Sequence, residues 1–142
     1  MKAVIRINGT QGLQEPVPDE IELVTDGVYC RTESGYEIHY QESEITGLYG
    51  TATTVRICPD GISVERSGVL NSRMDFVQGR SCSTLYETPF GSATLGVDTR
   101  RIYADMNDEG GELCIDYVVN MEHAVVMKNR LTMNVRPRVG EC

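Results

Sequence analysis

The sequence predicts an all-β protein, built as a single antiparallel barrel of about 8–10 strands in meander order. Three observations lead to this prediction. Short segments alternate apolar and polar residues with a period of two, most clearly between Tyr36 and Thr99. Glycine-containing turns separate these segments. No window free of glycine places apolar residues three and four positions apart over a dozen residues, as an amphipathic helix would.

The first half of the chain contains a series of short predicted strands. They cover Ala3–Asn8, Ile21–Tyr29, Tyr36–Glu42, Thr51–Ile57 and Ile62–Arg66. Between the first two, Gly9–Glu20 is polar and contains Pro16 and Pro18, so this segment is predicted to be a loop. Pro59-Asp60-Gly61 predicts a tight hairpin turn, because proline presets φ at the first corner and glycine accepts the left-handed conformation.

The second half continues the same pattern. Its predicted strands cover Asn71–Val77, Arg80–Thr88, Ser92–Tyr103, a strand from Gly110 to Met121, and Val125–Val135. The alternation shifts near Arg100-Arg101, which predicts a β-bulge. The last two strands form the clearest hairpin, with Glu122-His123 near its turn. Sequential strands with short connections favour an up-and-down barrel over a Greek-key sandwich.

Length and charge limit the organisation and the partners. The 142 residues are expected to form one domain, 1–142, with its core over about 3–136 and a tail at 137–142. There are 13 basic and 21 acidic side chains, a net charge of −8, which repels nucleic acid and anionic membranes. We therefore expect a small molecule as the partner, neither nucleic acid nor membrane, with a homodimer as a further option.

Localisation in a reducing cytoplasm is expected from the N-terminus and the cysteines. The N-terminal residues contain no apolar run long enough for a signal peptide, since Arg6 and Asn8 interrupt it. The five cysteines are odd in number and widely spaced, with no pair at the separation of a metal or redox motif. They are interpreted as free thiols.

One set of residues resembles the YwiB-like family of small bacterial proteins. The resemblance extends from about Val4 to Val135 and rests on Tyr36 to Tyr40, Glu42, Thr46-Gly47-Leu48, Gly50-Thr51, Arg66-Ser67-Gly68, Met74 with Phe76, Gly79, Tyr86 to Gly91, Thr99, Gly110-Gly111 and Asn129. It implies a calycin-type, lipocalin-like β-barrel in a cytoplasmic bacterial protein. The family has no established activity, so it supplies no catalytic residues.

No arrangement of residues indicates an enzyme. His39 falls on the polar face of its strand and His123 near a hairpin turn, and neither has further ligands at zinc spacing. Serines lack the glycine-flanked elbow of a nucleophile, and the Gly47–Gly50 segment precedes a strand where a phosphate loop would precede a helix. We expect no catalytic residues, no metal and no cofactor.

The informative residues are polar side chains at positions predicted to face inward. They are Tyr40, Glu42, Arg66, Tyr86, Tyr117 and Asn129. The structural interpretation, which is preferred, is an internal Arg66–Glu42 ion pair near one mouth of the barrel, with tyrosine hydroxyls completing its hydrogen bonds. The functional interpretation is a site for an anionic or polar ligand.

Two hypotheses of function follow. In the first, the barrel binds a small anionic or amphipathic molecule: Arg66 holds the acidic group, and Ile38, Val64, Phe76, Leu95 and Ile115 form apolar walls. In the second, the interior is filled and the protein is a non-enzymatic scaffold that acts through its outer faces. A cavity inside the barrel would favour the first hypothesis.

Overall fold

Ten β-strands form the protein in a computed structural model, which describes residues 1–12, 19–42, 50–69, 71–88, 91–121 and 125–138. The strands are β1 (Lys2–Gln11), β2 (Asp19–Arg31), β3 (Tyr36–Gln41), β4 (Ala52–Cys58), β5 (Gly61–Ser67), β6 (Asn71–Phe76), β7 (Ser81–Thr88), β8 (Gly91–Asn107), β9 (Gly110–Met121) and β10 (Val125–Pro137). Among the described residues, no helix is long and apolar enough to cross a membrane.

Every strand pairs antiparallel with its neighbours in the sequence, and the sheet closes because β1 pairs with both β2 and β10. Closure removes the free sheet edges that an open meander would expose. The prediction of an all-β meander barrel is confirmed. The strand number is at the upper end of the predicted range, which widens the interior because barrel diameter grows with the number of strands.

The predicted loop at Gly9–Glu20 was wrong at both ends. β1 continues to Gln11 and β2 starts at Asp19, and Gln11 pairs with Asp19. Backbone pairing with a neighbouring strand decides strand structure here, and polar composition does not prevent it. The proline-containing middle of the predicted loop, 13–18, lies outside the described residues.

The predicted tail also begins too early. Pro137 pairs with Ala3 at the end of β10, and the backbone N–H of Arg138 donates to the carbonyl of Lys2 at 3.1 Å. The Arg138 guanidinium forms an ion pair with Asp26 on β2. These two positions therefore belong to the barrel wall, while 139–142 lie outside the described residues.

Two local predictions about the backbone are confirmed. The register of β8 against β9 shifts between Thr99 and Arg101, which places the β-bulge at the predicted position. The β4–β5 turn also lies where predicted, but Gly61 has a φ of 158° and not the predicted left-handed conformation; glycine is needed because a Cβ would lie 2.5 Å from the carbonyl oxygen of Phe76. The predicted turn at Glu122-His123 lies outside the described residues.

The core fills the half of the barrel that holds the β2–β3, β4–β5 and β8–β9 turns. Ile5, Ile38, Leu113 and Ile115 are fully or almost fully buried there. Tyr29 belongs to the same buried core, and its hydroxyl donates a hydrogen bond of 2.6 Å to the carbonyl of Asn107 at the end of β8. This end of the barrel, which we call the closed end, is therefore occupied by packed side chains.

Tyr36 completes the packing at the closed end. Its ring stacks on that of Tyr29 with centroids 5.2 Å apart and an interplanar angle of 10°. The Tyr36 hydroxyl donates to Asp108 Oδ1 at 3.0 Å. The β2–β3 hairpin is thus tied to the turn between β8 and β9.

One seam of the barrel is short. β6 pairs with β7 only at Asn71 and Ser72, whereas β9 pairs with β10 along almost their whole lengths. The Thr84 hydroxyl on β7 donates to the carbonyl of Arg73 and adds a side-chain link across the seam. β6 is therefore the least firmly paired part of the wall among the described strands.

Candidate functional site: a cavity in the open half of the barrel

The half of the barrel opposite the closed end contains a cavity of about 480 Å³. Within the described residues it opens where β1, β3, β5 and β9 end, and we call this the open end. Its volume lies within the range of about 300–1,000 Å³ that is typical of small-molecule pockets. The lack of a side chain at Gly9 explains part of the space: Gly9 faces inward from β1, and no atom of the described residues lies within 4 Å of an added Cβ. The larger circumference of ten strands accounts for more.

Arg66 lies near the end of β5 and lines the cavity. The alternation of Ile62, Val64 and Arg66 along the strand gives them one face, and the first two belong to the core. The Arg66 side chain is 22% exposed. Its Nε is buried and has no hydrogen-bond partner among the described residues.

Glu42 is the counter-charge of Arg66. It directly follows β3, and its side chain is only 2% exposed. Glu42 Oε1 lies 3.7 Å from Arg66 Nε, close enough for an ion pair and too far for a hydrogen bond. The same Oε1 accepts a hydrogen bond from the Thr53 hydroxyl at 2.7 Å. The pair therefore exists as the sequence predicts, but the arginine keeps an unused donor.

Two tyrosines lie beside this pair. Burial, followed by the negative charge of Glu42, raises the pKa of Tyr40 above its usual value. Burial also raises the pKa of Tyr117, and the Arg66 charge lowers it to a smaller extent. The Tyr117 ring meets Phe76 edge to face, with centroids 4.9 Å apart. Both hydroxyls are therefore neutral hydrogen-bonding groups at physiological pH.

Asn129 is the buried polar residue of β10 at the cavity. It is 4% exposed, and its Oδ1 accepts a hydrogen bond of 3.4 Å from the backbone N–H of Gly12, directly after β1. This contact ties β10 to the end of β1 at the open end. A buried amide that bonds backbone stabilises the wall and presents polar atoms to the interior.

The structure brings five of the six sequence-predicted site residues together: Tyr40, Glu42, Arg66, Tyr117 and Asn129 line one cavity. The side chain of Tyr86 lies outside the described residues. Of the predicted apolar walls, Val64, Phe76 and Leu95 line the cavity. Ile38 and Ile115 belong to the core, as Val64 and Phe76 also do, but they do not line the cavity.

Sequence reasoning missed Ser72, a residue of the same interior region. Ser72 pairs with Arg66 across β5 and β6, is buried, and its hydroxyl has no partner among the described residues. Ser72 lies two residues before Met74 and four before Phe76 on β6, so the alternation of strand residues could have placed it on the same inward face. A second depression, of about 550 Å³, lies at the closed end between turns. It shares no lining residue with the cavity and holds no comparable group of buried polar side chains.

The geometry defines the class: a closed meander barrel with one half filled and the other half enclosing a partly polar cavity. The chain belongs to the family described as "Domain of unknown function (DUF1934)", whose model matches residues 5–133. It is 29% identical over 117 residues to the "Uncharacterized beta-barrel protein YwiB" of Bacillus subtilis (strain 168), covering 82% of this chain and 76% of that protein.

A solved structure supports the same fold. The chain is similar to the crystal structure of ywiB protein from Bacillus subtilis with a TM-score of 0.78. The similarity covers 94% of this chain and 90% of the other at 23% sequence identity. The predicted resemblance to the YwiB-like family is confirmed, and the family is one of unknown function.

Proposed function

We propose that this protein binds a small amphipathic anion inside its barrel, with the acidic group on Arg66 and the apolar part against the cavity wall. The observation that carries the proposal is the buried Arg66 Nε, which faces a cavity and has no hydrogen-bond partner among the described residues. Leaving a buried charged donor without a partner costs free energy, which a carboxylate or phosphate oxygen would recover.

The surroundings of Arg66 support an anion over a cation. Glu42 offsets its charge from 3.7 Å, but the Glu42 oxygen already accepts a hydrogen bond from Thr53. The Tyr40 hydroxyl is kept protonated by burial and by Glu42, to which it donates its hydrogen bond, so Glu42 is held by Tyr40 as well as by Thr53 while Arg66 Nε keeps its donor. Arg66 is partly exposed, which allows an acidic group to keep some water.

The rest of the cavity suits an apolar body. Val64, Met74, Phe76 and Leu95 form one side of the lining, and Met127 and Leu131 the other. Flexible methionines adapt to differently shaped apolar groups. A barrel of the calycin kind, which the family resemblance implies, is a suitable container for such a molecule. A volume of about 480 Å³ argues against the filled interior that the scaffold hypothesis requires.

The first experiment measures binding of a defined probe, anilinonaphthalene sulfonate, by fluorescence, with decanoate and decanol as competitors. We expect decanoate to displace the probe and decanol to compete far more weakly, since only decanoate carries the acidic group. Arg66→Gln should weaken decanoate binding at least tenfold. Arg73→Gln is the matched control, because Arg73 is exposed on the next strand and ion-pairs with Asp75.

A second variant tests the cavity without touching a charge. Gly9 faces open space and has no restrictive backbone angle, so Gly9→Leu should place its side chain in the cavity and abolish probe binding while the barrel stays folded. Equal displacement by decanoate and decanol, or full binding by folded Arg66→Gln, would overturn the acidic-group assignment. Unchanged binding by folded Gly9→Leu would overturn the interior site itself.

A further inference from the structure

Three side chains with metal-binding atoms meet on the outer face of β2 and β3. Cys30, Glu37 and His39 each place one such atom within 4.8 Å of the other two. The register explains the meeting: Cys30 pairs with Glu37 across the two strands, and His39 lies two residues further along the same face. The sheet wall separates this cluster from the cavity, so nothing here depends on the proposed function.

We propose that Cys30, Glu37 and His39 form a Zn²⁺ site with three protein ligands and a fourth position open to water. Thiolate, imidazole and carboxylate are the three ligand types that Zn²⁺ takes in proteins. A thiolate and an imidazole together select against Mg²⁺ and Ca²⁺, which prefer oxygen ligands.

The distances suit a tetrahedral ion. Zn–N and Zn–O bonds of about 2.0–2.1 Å and a Zn–S bond of about 2.3 Å place ligand atoms roughly 3.3–3.7 Å apart. His39 Nε2 already lies 3.0 Å from Glu37 Oε1. Because the thiol lies within 4.8 Å of both atoms, it needs a shift of at most about 1 Å, which rotation of half-buried side chains on a strand surface allows.

The second nitrogen of the histidine supports the assignment. His39 Nδ1 lies 3.1 Å from the hydroxyl of Thr54, its partner on β4. A histidine that binds metal through Nε2 carries its proton on Nδ1 and donates it to a neighbouring acceptor, which fixes the ring. Thr54 therefore acts as a positioning residue for His39.

The local charges also balance. Thiolate and carboxylate together neutralise one Zn²⁺. Arg56 lies near Glu37, with Nε 3.6 Å from Oε2, but its closest contact is Glu65 Oε2 at 2.7 Å from the guanidinium. Glu37 Oε1 remains on the side of His39, so Arg56 orients the carboxylate through Oε2. Because its positive charge also competes with the metal for Glu37, removing Arg56 should tighten metal binding.

The test titrates the reduced full-length protein with Co²⁺, which reports thiolate ligation through a near-ultraviolet charge-transfer band, and then displaces it with Zn²⁺. We expect one equivalent of Co²⁺ with that band and with visible absorption of four-coordinate intensity. Cys30→Ser should abolish the band. Cys58→Ser is the matched control, because Cys58 lies on the same outer surface in β4 and should keep it.

Two further variants separate the site from general damage to the fold. Thr54→Val keeps the shape of the side chain and should weaken Zn²⁺ binding about 10–100-fold, with recovery in Thr54→Ser. Arg56→Gln should tighten it several-fold. A wild-type protein without the charge-transfer band, or a band that persists in folded Cys30→Ser, would overturn the proposal, as would equal Zn²⁺ affinity in Thr54→Val and wild type.

Discussion

Arg66 Nε and Glu42 Oε1 lie 3.7 Å apart in the open half of the barrel, as an ion pair that is not a hydrogen bond. The carboxylate is almost fully buried, and its oxygen accepts a hydrogen bond from Thr53. Two opposite charges held this way stabilise each other against desolvation but leave the arginine available to a third group. Under the proposed function, this relationship gives the cavity a structural role and a binding role.

Glu42→Gln should therefore separate stability from binding. Loss of the buried counter-charge should lower the free energy of unfolding by about 1–3 kcal/mol, less than for a fully buried pair because Arg66 keeps some water. Binding of anilinonaphthalene sulfonate should tighten, since the competing negative charge is gone. Urea denaturation and a fluorescence titration measure the two effects. Weaker probe binding in the folded variant would contradict the assigned role of Arg66.

The ion pair between Arg130 and Asp116 on the outer face offers a comparison. Arg130 contacts both carboxylate oxygens, at 2.6 and 3.4 Å, and that hydrogen bond raises the pKa of Arg130. The Arg130 side chain is half exposed, however, and the Asp116 side chain about a quarter. Asp116→Asn should lower the free energy of unfolding by less than about 1 kcal/mol despite the shorter distances. If Asp116→Asn lowers the free energy of unfolding more than Glu42→Gln does, burial is not what decides which ion pair contributes more to stability.

Two glycines on neighbouring strands should respond to alanine in opposite ways. A Cβ on Gly27 would lie 2.5 Å from the carbonyl oxygen of His39 and 2.4 Å from Ile5 Cδ1. Gly27→Ala should therefore lower the free energy of unfolding by about 1–3 kcal/mol. The added Cβ of Gly9→Ala meets no atom of the described residues within 4 Å, so this substitution should be neutral or stabilise by up to about 1 kcal/mol. Equal losses from both substitutions, measured by urea denaturation, would contradict the packing described.

Alkaline pH should unfold the barrel through its buried tyrosines. Burial is the main cause that raises the pKa of Tyr29, Tyr40 and Tyr117. Below the unfolded value of about 10, both states keep these protons and stability is unaffected. Above it, the unfolded chain loses protons that the folded protein holds, so the free energy of unfolding falls with pH.

The measurement combines tyrosinate absorbance with urea denaturation between neutral pH and the alkaline range. We expect part of the tyrosinate signal to appear only when the barrel unfolds. Tyr40→Phe should make stability less dependent on pH above about 10, because one shifted group is removed. If all seven tyrosines of the sequence ionise before any loss of β-structure, the burial assigned to Tyr29, Tyr40 and Tyr117 is wrong.

Hydrogen exchange should be uneven around the barrel. β6 pairs with β7 only at Asn71 and Ser72, while β9 and β10 pair from Met121 to Gly111 along β9. Amides of β6 that face β7 should exchange much faster than those between β9 and β10, since local opening there breaks fewer hydrogen bonds. Peptide-level exchange followed by mass spectrometry measures this difference. Uniform protection in all ten strands would contradict it.

Much of the site could be predicted from the sequence because strand residues alternate between two faces. Ile62, Val64 and Arg66 share a face by parity alone, and the same argument placed Asn129 inside. The alternation of residues along a strand does not predict features that depend on which strands pair and in which register. The continuation of β1 to Gln11 follows from its partner Asp19, which polar composition conceals. The 3.7 Å distance and the size of the cavity depend on strand number and tilt, which no local pattern contains.

The cluster of Cys30, Glu37 and His39 also shows that alternation along one strand does not predict contacts between strands. Glu37 and His39 are two residues apart, so their shared face could be predicted. Cys30 joins them only through the register of the β2–β3 hairpin, which pairs it with Glu37. Metal-ligand spacing along the chain gives no indication of a group assembled across strands.

The packing of Tyr29 and Tyr36 has a consequence for how a molecule could enter and leave the cavity. Among the described residues, these packed rings separate the cavity from the closed end, so a molecule passing through that end would have to displace them. Entry and exit of the proposed ligand would then share the open end, and a substitution there would change both rate constants while the equilibrium affinity can stay the same.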